Sequence, residues 1–366
     1  MVEWKKLGTI SDIGTGSNNR EDACENGLYP FYVRSKEVLR INSYLYDEEA
    51  VLIPGEGGIG EIFHYINGKY GLHQRTYRVH SVSKEISGRY LFYYLHENFG
   101  RYIDHKSYKS TAASIRKPML LEFPVAIPSL SEQTRIVGIL DTFTSAIDNL
   151  KEQIAQRRKQ YEHYRDQLLD LEGKPGKDIH CWGEFCKMEK GNGVQKVDFV
   201  EEGVGCIHYG QIYTHYGPYA YETNKFVSEE TFAKAKKASK GDIILTDTSE
   251  NVEDICKSVA WLGDDDIAVS NHALIIKHNQ NPKFLSYSTQ TNSFFLQKRK
   301  VVVGVKVSGI KPDDLAKIKI FLPSLSEQQR IVSILDTFEA SIQNLEAQLK
   351  EREKQYEYYR NKLLTF

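Results

Sequence analysis

From Ile136 onward, apolar residues recur in steps of four and three: Ile136, Leu140, Phe143, Ile147, Leu150 and Ile154, then Arg157, then Tyr161, Tyr164 and Leu168. A period of 3.5 residues places them on one helical stripe, so the spacing predicts a coiled-coil helix. The same frame returns at Ile331, Leu335, Phe338, Ile342, Leu345 and Leu349, then Arg352, then Tyr356, Tyr359 and Leu363. The flanking sequence repeats too, beginning PSLSEQTRIVGILDTF at residue 128 and PSLSEQQRIVSILDTF at residue 323. Two copies so far apart describe a duplicated chain and not a solenoid, which needs three or more short units.

Each stripe needs a partner, because burying a seam side chain yields roughly 1.5–3 kcal/mol before entropy is subtracted. The two stripes most simply bury each other. Ser129-Leu130-Ser131-Glu132 and Ser324-Leu325-Ser326-Glu327 each read Ser-x-x-Glu after a proline, which predicts a capping box at both helix starts. A helix from Ser131 to Leu169 spans roughly 58 Å at 1.5 Å per residue, the length of a spacer. The first helix leads through the break Glu172-Gly173-Lys174-Pro175-Gly176 into a second domain that feeds the second helix, so antiparallel packing needs the least connecting chain. Arg157 and Arg352 hold matching seam positions, where they either snorkel to solvent or act as register-setting or partner-binding groups.

The remaining sequence reads as two mixed, strand-rich domains. Strand-like runs are Phe31-Tyr32-Val33, Ala50-Val51-Leu52-Ile53 and Thr76-Tyr77-Arg78-Val79 in the first, and Ile243-Ile244-Leu245, Ala273-Leu274-Ile275-Ile276 and Val301-Val302-Val303 in the second. Asn67-Gly68 predicts a hairpin turn. The halves align loosely, Val51-Leu52-Ile53 with Ile243-Ile244-Leu245 and His73 near His272, so a well-preserved scaffold carries two diverged domains. The boundaries read as a first domain over 1–128, a long helix over 129–172, a second domain over 173–323 and a second helix over 324–366. The fold class is therefore α+β: two related α/β domains separated by two long helices in an antiparallel coiled coil, with pseudo-two-fold symmetry.

Composition changes this picture little. The 366 residues are 40% hydrophobic, enough for two cores, and the net charge of −1 gives no global pull toward nucleic acid. Basic residues gather locally, as in Lys298-Arg299-Lys300. No run of 18 apolar residues occurs and MVEWKKLGTI lacks a signal-peptide core, so the expected location is cytoplasmic, with no membrane partner. Cys24, Cys181, Cys186, Cys206 and Cys256 are odd in number without a CxxC pair, as reduced thiols would be. Neither His180 with Cys181 and Cys186 nor Asp264-Asp265-Asp266 supplies a convincing ligand set, so no metal is expected.

Catalytic motifs are equally weak. Gly55-Glu56-Gly57-Gly58-Ile59-Gly60 matches G-x-G-x-x-G, but Glu61 to Gly68 reads as a strand where a dinucleotide site needs a helix, so turn glycines are the better account. Asn281-Pro282-Lys283-Phe284 only approaches the Asn/Asp-Pro-Pro-aromatic motif of an amino-methyltransferase, and no GxxxxGK[ST] loop occurs. No catalytic residue is assigned.

The Pro-Ser-x-x-Glu-Gln element followed by Arg-Ile-Val and a long helix, present twice with a domain before each copy, resembles the specificity subunit of type I restriction-modification enzymes. Trp4-Lys5-Lys6-Leu7-Gly8 and, less closely, Trp182-Gly183-Glu184-Phe185 resemble the openings of its target-recognition domains. The resemblance implies a non-catalytic subunit in which each domain reads half of a bipartite, asymmetric site in double-stranded DNA. It also implies that the helices fix the gap, and that two methylation subunits and motor/restriction subunits dock around them. S-adenosylmethionine, ATP and Mg would belong to those partners, which would methylate adenine or cleave, and this chain would carry no cofactor. A structural adaptor with two protein-binding heads is the competing reading.

For DNA contacts, polar and aromatic loop residues after strands are the candidates: Arg34, Ser35, Lys36, His73, Gln74 and Arg75 in the first domain, and Tyr209, Gln211, Tyr213, Asn271 and His272 in the second. Lys106, Lys109, Lys298 and Arg299 suit phosphates. An ordinary exposed loop residue is the competing reading for each.

Overall fold

The computed structural model describes residues 2–106, 114–304 and 308–366, with the side chains of His105 and Lys106 outside that description. The chain separates into two compact units, Met1–Glu152 with Glu346–Phe366, and Gln153–Leu345. The division falls inside the long helices, because the end of each one packs on the head that it does not follow.

The first unit begins with β1 (Glu3–Lys6), α1 (Leu7–Ile10), β2 (Ser11–Thr15), β3 (Tyr29–Tyr32), β4 (Val38–Ile41), β5 (Tyr46–Pro54), β6 (His64–Leu72) and β7 (Thr76–Ser81). Then follow α2 (Gly88–Lys106), α3 (Lys117–Leu121), β8 (Pro124–Ile127) and the start of α4 (Leu130–Leu169). Six strands pair in the order β2-β7-β5-β6-β3-β4, while β1 pairs with β8. In β5 the period-two rule sorts the apolar run. Val51 and Ile53 join a core with Tyr90, Tyr93 and Phe99 of α2, whereas Ala50 and Leu52 turn to the opposite face with Tyr70 and Leu72. Ile136 and Leu140 of α4 and Leu364, from the far end of the chain, lie in the same core as α2.

The second unit takes the end of α4, then β9 (Ile179–Cys181), α5 (Trp182–Phe185), β10 (Cys186–Lys190), β11 (Phe199–Val200), β12 (Val204–Ile207), α6 (Tyr209–Thr214), β13 (Tyr219–Ala220), β14 (Lys225–Val227), α7 (Glu229–Lys234), β15 (Lys237–Ala238), β16 (Ile243–Thr246) and β17 (Thr248–Ser249). It continues with β18 (Ser258–Trp261), β19 (Ile267–Val269), β20 (Ala273–His278), α8 (Pro282–Ser288), α9 (Asn292–Val301), β21 (Ser308–Gly309), α10 (Pro312–Leu315), β22 (Lys319–Phe321) and the start of α11 (Leu325–Leu364). Its sheets are ordered β10-β20-β16-β18-β13 and β11-β14-β12-β19-β15.

The pairings make the two heads the same fold. β5 lies between β7 and β6, with Pro54 opposite Thr76; β16 lies between β20 and β18, with Thr246 opposite Ala273. The long β6 corresponds to β18 and β19, separated by Leu262 to Asp266; Leu72 beside Tyr32 matches Val269 beside Ile207, so His272 corresponds to Arg75 and not to His73.

The long helices run antiparallel within each unit. Phe143 stacks on Tyr359 at 5.3 Å in the first unit, and Phe338 stacks on Tyr164 at 5.4 Å in the second. Arg352 lies 5.7 Å from the Phe143 ring centre and Arg157 5.9 Å from that of Phe338, so both seam arginines lie over an aromatic face while each donates to a glutamine three residues on. Ile147, Ile154 and Ile342 are buried, but Tyr164 and Tyr359 keep 44% and 40% exposure, so the stripe thins to aromatic stacking there.

Each head is fastened to its following helix by the same two side chains. Buried Gln133 donates to the carbonyls of Glu85 (2.7 Å) and Pro128 (2.9 Å) and accepts from Ser87 N–H (2.9 Å). Gln328 donates to Gln280 (2.9 Å) and to the Pro323 carbonyl (2.8 Å), and accepts from Asn281 N–H (3.0 Å). Asp141 receives Arg89 at 2.7 Å and the Tyr93 hydroxyl at 2.5 Å, and Asp336 receives Lys283 at 2.9 Å and the Tyr287 hydroxyl at 2.7 Å.

Three local expectations are corrected. Asn67-Gly68 lies inside β6, opposite Glu49 and Glu48, because β6 must run on to bury Tyr70 and Leu72. Val301 ends a helix, not a strand: Thr291 caps α9, and Phe294 and Lys298 are its buried positions four residues apart, while Val303 makes only an isolated bridge to Gly309. The capping boxes are half made. Ser129 and Ser324 accept from the Glu132 and Glu327 N–H groups, but those carboxylates grip Arg135 and Arg330.

Candidate nucleic-acid interface

Three loops meet at one edge of the first head. The segment after β3 carries Arg34, the glycine-rich loop after β5 carries Glu56, and the tight turn between β6 and β7 carries Arg75. Backbone bonds fix their spacing: Gly55 N–H donates to the Arg75 carbonyl (2.9 Å), Ile115 N–H to the Gly55 carbonyl (2.8 Å) and His73 N–H to the Tyr32 carbonyl (3.0 Å). Gly57, Gly58 and Gly60 have φ of 72°, 65° and 74°, which explains the glycines as turn formers. Glu56 Oε2 then accepts from Arg34 Nη1 at 2.9 Å and from Arg75 Nη1 at 2.8 Å. Hydrogen bonding from Arg75, reinforced by Arg34, holds the Glu56 carboxyl below its usual range, so it is ionised at neutral pH.

The neighbours are mostly turn-keepers. His73 is 6% exposed, and its Nδ1 accepts the Arg75 N–H at 3.0 Å; burial, followed by the charges of Arg34 and Arg75, lowers its pKa and keeps the ring neutral. Gln74 is exposed and donates to Asn19 (2.7 Å), and the Ser35 hydroxyl donates to the Glu37 carbonyl (3.0 Å). Lys36 is exposed.

The second head repeats the backbone with other chemistry. Asp247 N–H donates to the His272 carbonyl (3.1 Å), Ile310 N–H to the Asp247 carbonyl (2.9 Å) and Ser270 N–H to the Ile207 carbonyl (3.1 Å). Glu56 opposes Ser114 and Thr248 opposes Gly309. The positions of Arg34, Glu56 and Arg75 are therefore held by Tyr209, Thr248 and His272. Tyr209 meets His272 edge-on with ring centres 5.3 Å apart. Together with Tyr213, Thr248, Ser249 and Asn251 they line a cavity of about 470 Å³. His272 sits at φ 66°, uncommon for a residue with a side chain and concentrated at functional sites. Gln211 accepts the His208 N–H (2.8 Å) and bonds Asn224, the Tyr213 hydroxyl donates to the Thr248 carbonyl, and Asn271 accepts the Gly193 N–H (3.1 Å).

Of the phosphate candidates, Arg299 is exposed. Lys298 is not available: it is 4% exposed and its ammonium donates to the Glu253 (2.9 Å) and Ile255 (2.5 Å) carbonyls, because the buried face of α9 turns it inward. Lys106 ends α2, and Lys109 lies outside the described residues. Among the described residues no group of three or more His, Cys, Asp or Glu is placed to hold a metal, and no helix is long and apolar enough to cross a membrane.

Sequence reading gathered both arginines but missed Glu56 and Thr248. The available signal was an acidic residue inside a run of turn glycines directly after a buried strand. Arginine forks pair bidentately with guanine O6 and N7, while tyrosine and histidine offer stacking faces and single hydrogen bonds, so the two edges present different recognition chemistry.

A family model for the type I restriction modification DNA specificity domain matches residues 1–157 and again 180–353. A putative type I restriction enzyme specificity subunit of Haemophilus influenzae is 27% identical over all of this chain and 96% of its own length. The EcoR124I/EcoR124II specificity subunit of Escherichia coli is 28% identical over 76% of this chain and 70% of its own. In fold, the chain is similar to the S subunit of a type I restriction-modification system from M. genitalium, with a TM-score of 0.64, 15% identity and coverage of 100% and 96% of the two chains.

Proposed function

The chain belongs to the type I restriction-modification DNA specificity family, and from that premise we propose that its two heads read the two halves of a bipartite, asymmetric duplex site for partner subunits that methylate adenine or cleave. The observation that carries this reading is the matched set of three loops. One backbone frame presents Arg34, Glu56 and Arg75 in the first head and Tyr209, Thr248 and His272 in the second. A device that reads two different sequences through one duplicated scaffold has this form: backbone bonds set the positions and the side chains change.

The chain itself supplies binding and orientation. The Gln133 and Asp141 contacts, like those of Gln328 and Asp336, fix each head on its helix, so a base contact made by a loop keeps a set angle to the helix bearing that head. Methyl transfer and ATP-driven cleavage belong to the partners, together with S-adenosylmethionine, ATP and Mg. Two methylation subunits and the motor/restriction subunits are the assembly in which this chain acts.

The test is to co-express the chain with a methylation subunit in a methylation-free host and map modified adenines by single-molecule sequencing. The expected result is one two-part motif with a constant unread gap. A contiguous motif, or no modification by a soluble complex, goes against it.

A further inference from the structure

Glu56 is the one acidic member of the first head's trio, and its carboxylate lies between the two arginines. One oxygen of its carboxylate serves both arginines, at 2.9 Å and 2.8 Å. Its backbone is tethered on both sides, since Glu56 bridges Ser114 while the preceding Gly55 donates to the carbonyl of Arg75. Arg34 and Arg75 come from different loops, and two guanidiniums drawn to a single oxygen would repel each other without the charge between them. Each contributes only Nη1 to this contact and its side chain remains 44% and 57% exposed, so neither guanidinium is used up by Glu56. In the second head, where neither arginine is present, the matching position is Thr248, so the carboxylate accompanies the arginines.

We infer that Glu56 is a positioning residue that presets Arg34 and Arg75 as a pair of guanine-reading groups in the half-site of the first head. The inference rests on the proposed role of the heads as readers of DNA. Holding the forks in advance reduces the side-chain ordering needed on binding, and neutralising one of two positive charges lowers attraction to any duplex irrespective of sequence. Glu56 would thus raise discrimination by both routes.

The experiment selects duplexes from a randomised library at fixed salt, using the full chain in complex with a methylation subunit, with Glu56→Gln and Glu56→Asp variants alongside. The wild type is expected to select a two-part motif with guanine in one half. Glu56→Gln should lower preference at those guanines by roughly ten-fold, bind unrelated duplex more tightly and leave the other half-site unchanged, which shows that the complex is intact. Glu56→Asp, which keeps the charge, should retain most of the preference. A wild-type motif from Glu56→Gln overturns the inference, as does a switch to a different preferred base, which would make Glu56 a base contact itself. If the wild type selects no two-part motif, the underlying reading fails with it, a result distinct from an unchanged Glu56→Gln motif.

Discussion

The first head closes its interface with an ionic clamp, Arg34–Glu56–Arg75, and the second places an aromatic pair, Tyr209 and His272, on the same backbone positions. Gly55 and Asp247 make the same bond to the following turn at 2.9 Å and 3.1 Å, so the two heads share this backbone frame while the side chains differ. Backbone hydrogen bonds do not depend on side-chain identity, and so a recognition surface can change without disturbing the fold that presents it.

The strongest way to break this comparison is to give one head the other's residues. R34Y/E56T/R75H in one chain should cut discrimination at the first half-site by about a thousand-fold, as expected for two bidentate contacts, and leave the second half-site intact, as read by duplex selection. Loss of both half-sites would mean that the positions support the fold and do not read DNA.

The heads should also respond to acid through half-buried histidines. Burial, and secondarily Arg360, pushes His96 down to about 4 from its ordinary 6.5. The folded first unit therefore binds fewer protons than the unfolded chain in that window. The contribution of His96 to stability is full above pH 6.5 and is lost as pH falls toward 4, by about 3 kcal/mol once below it. His278 in the second unit is lowered in the same direction by burial. Hydrogen exchange of α2 amides, corrected for intrinsic rates, should show the loss, and His96→Asn should remove the share that His96 contributes, leaving the smaller share of His73, which burial lowers in the same direction.

A smaller effect tests the shared frame. Asp141→Asn and Asp336→Asn each weaken charge-assisted bonds to a cation and a tyrosine, and each should cost about 2 kcal/mol in its own unit by urea unfolding. A difference well beyond about 1 kcal/mol would show that the copies are not equivalent. Smallest is the contrast on α9. Lys298→Ala orphans two carbonyls and should cost about 1–2 kcal/mol, whereas Arg299→Ala should stay within about 0.5 kcal/mol.

The sequence made the scaffold legible because the helices obey one period for forty residues and do so twice. The buried strands Ala50–Ile53 and Ile243–Leu245 were also visible, being apolar runs bounded by turns. Asn67-Gly68 misled because tertiary pairing overrode a local turn preference, and Val301 because β-branched runs do not distinguish a strand from a capped helix end. Lys298 misled because charge in a run says nothing of which face it occupies. Glu56 was hidden because its partners are 22 and 19 residues away, a proximity that only the sheet creates.

The most direct test maps modified adenines in cells carrying the methylation subunit with the wild-type chain, R34A/R75A or Y209A/H272A. The account predicts that each double variant loosens a different half of one two-part motif while the gap keeps its length. If either variant loosens both halves, or if the two loosen the same half, the claim that each head reads its own half through these positions is contradicted.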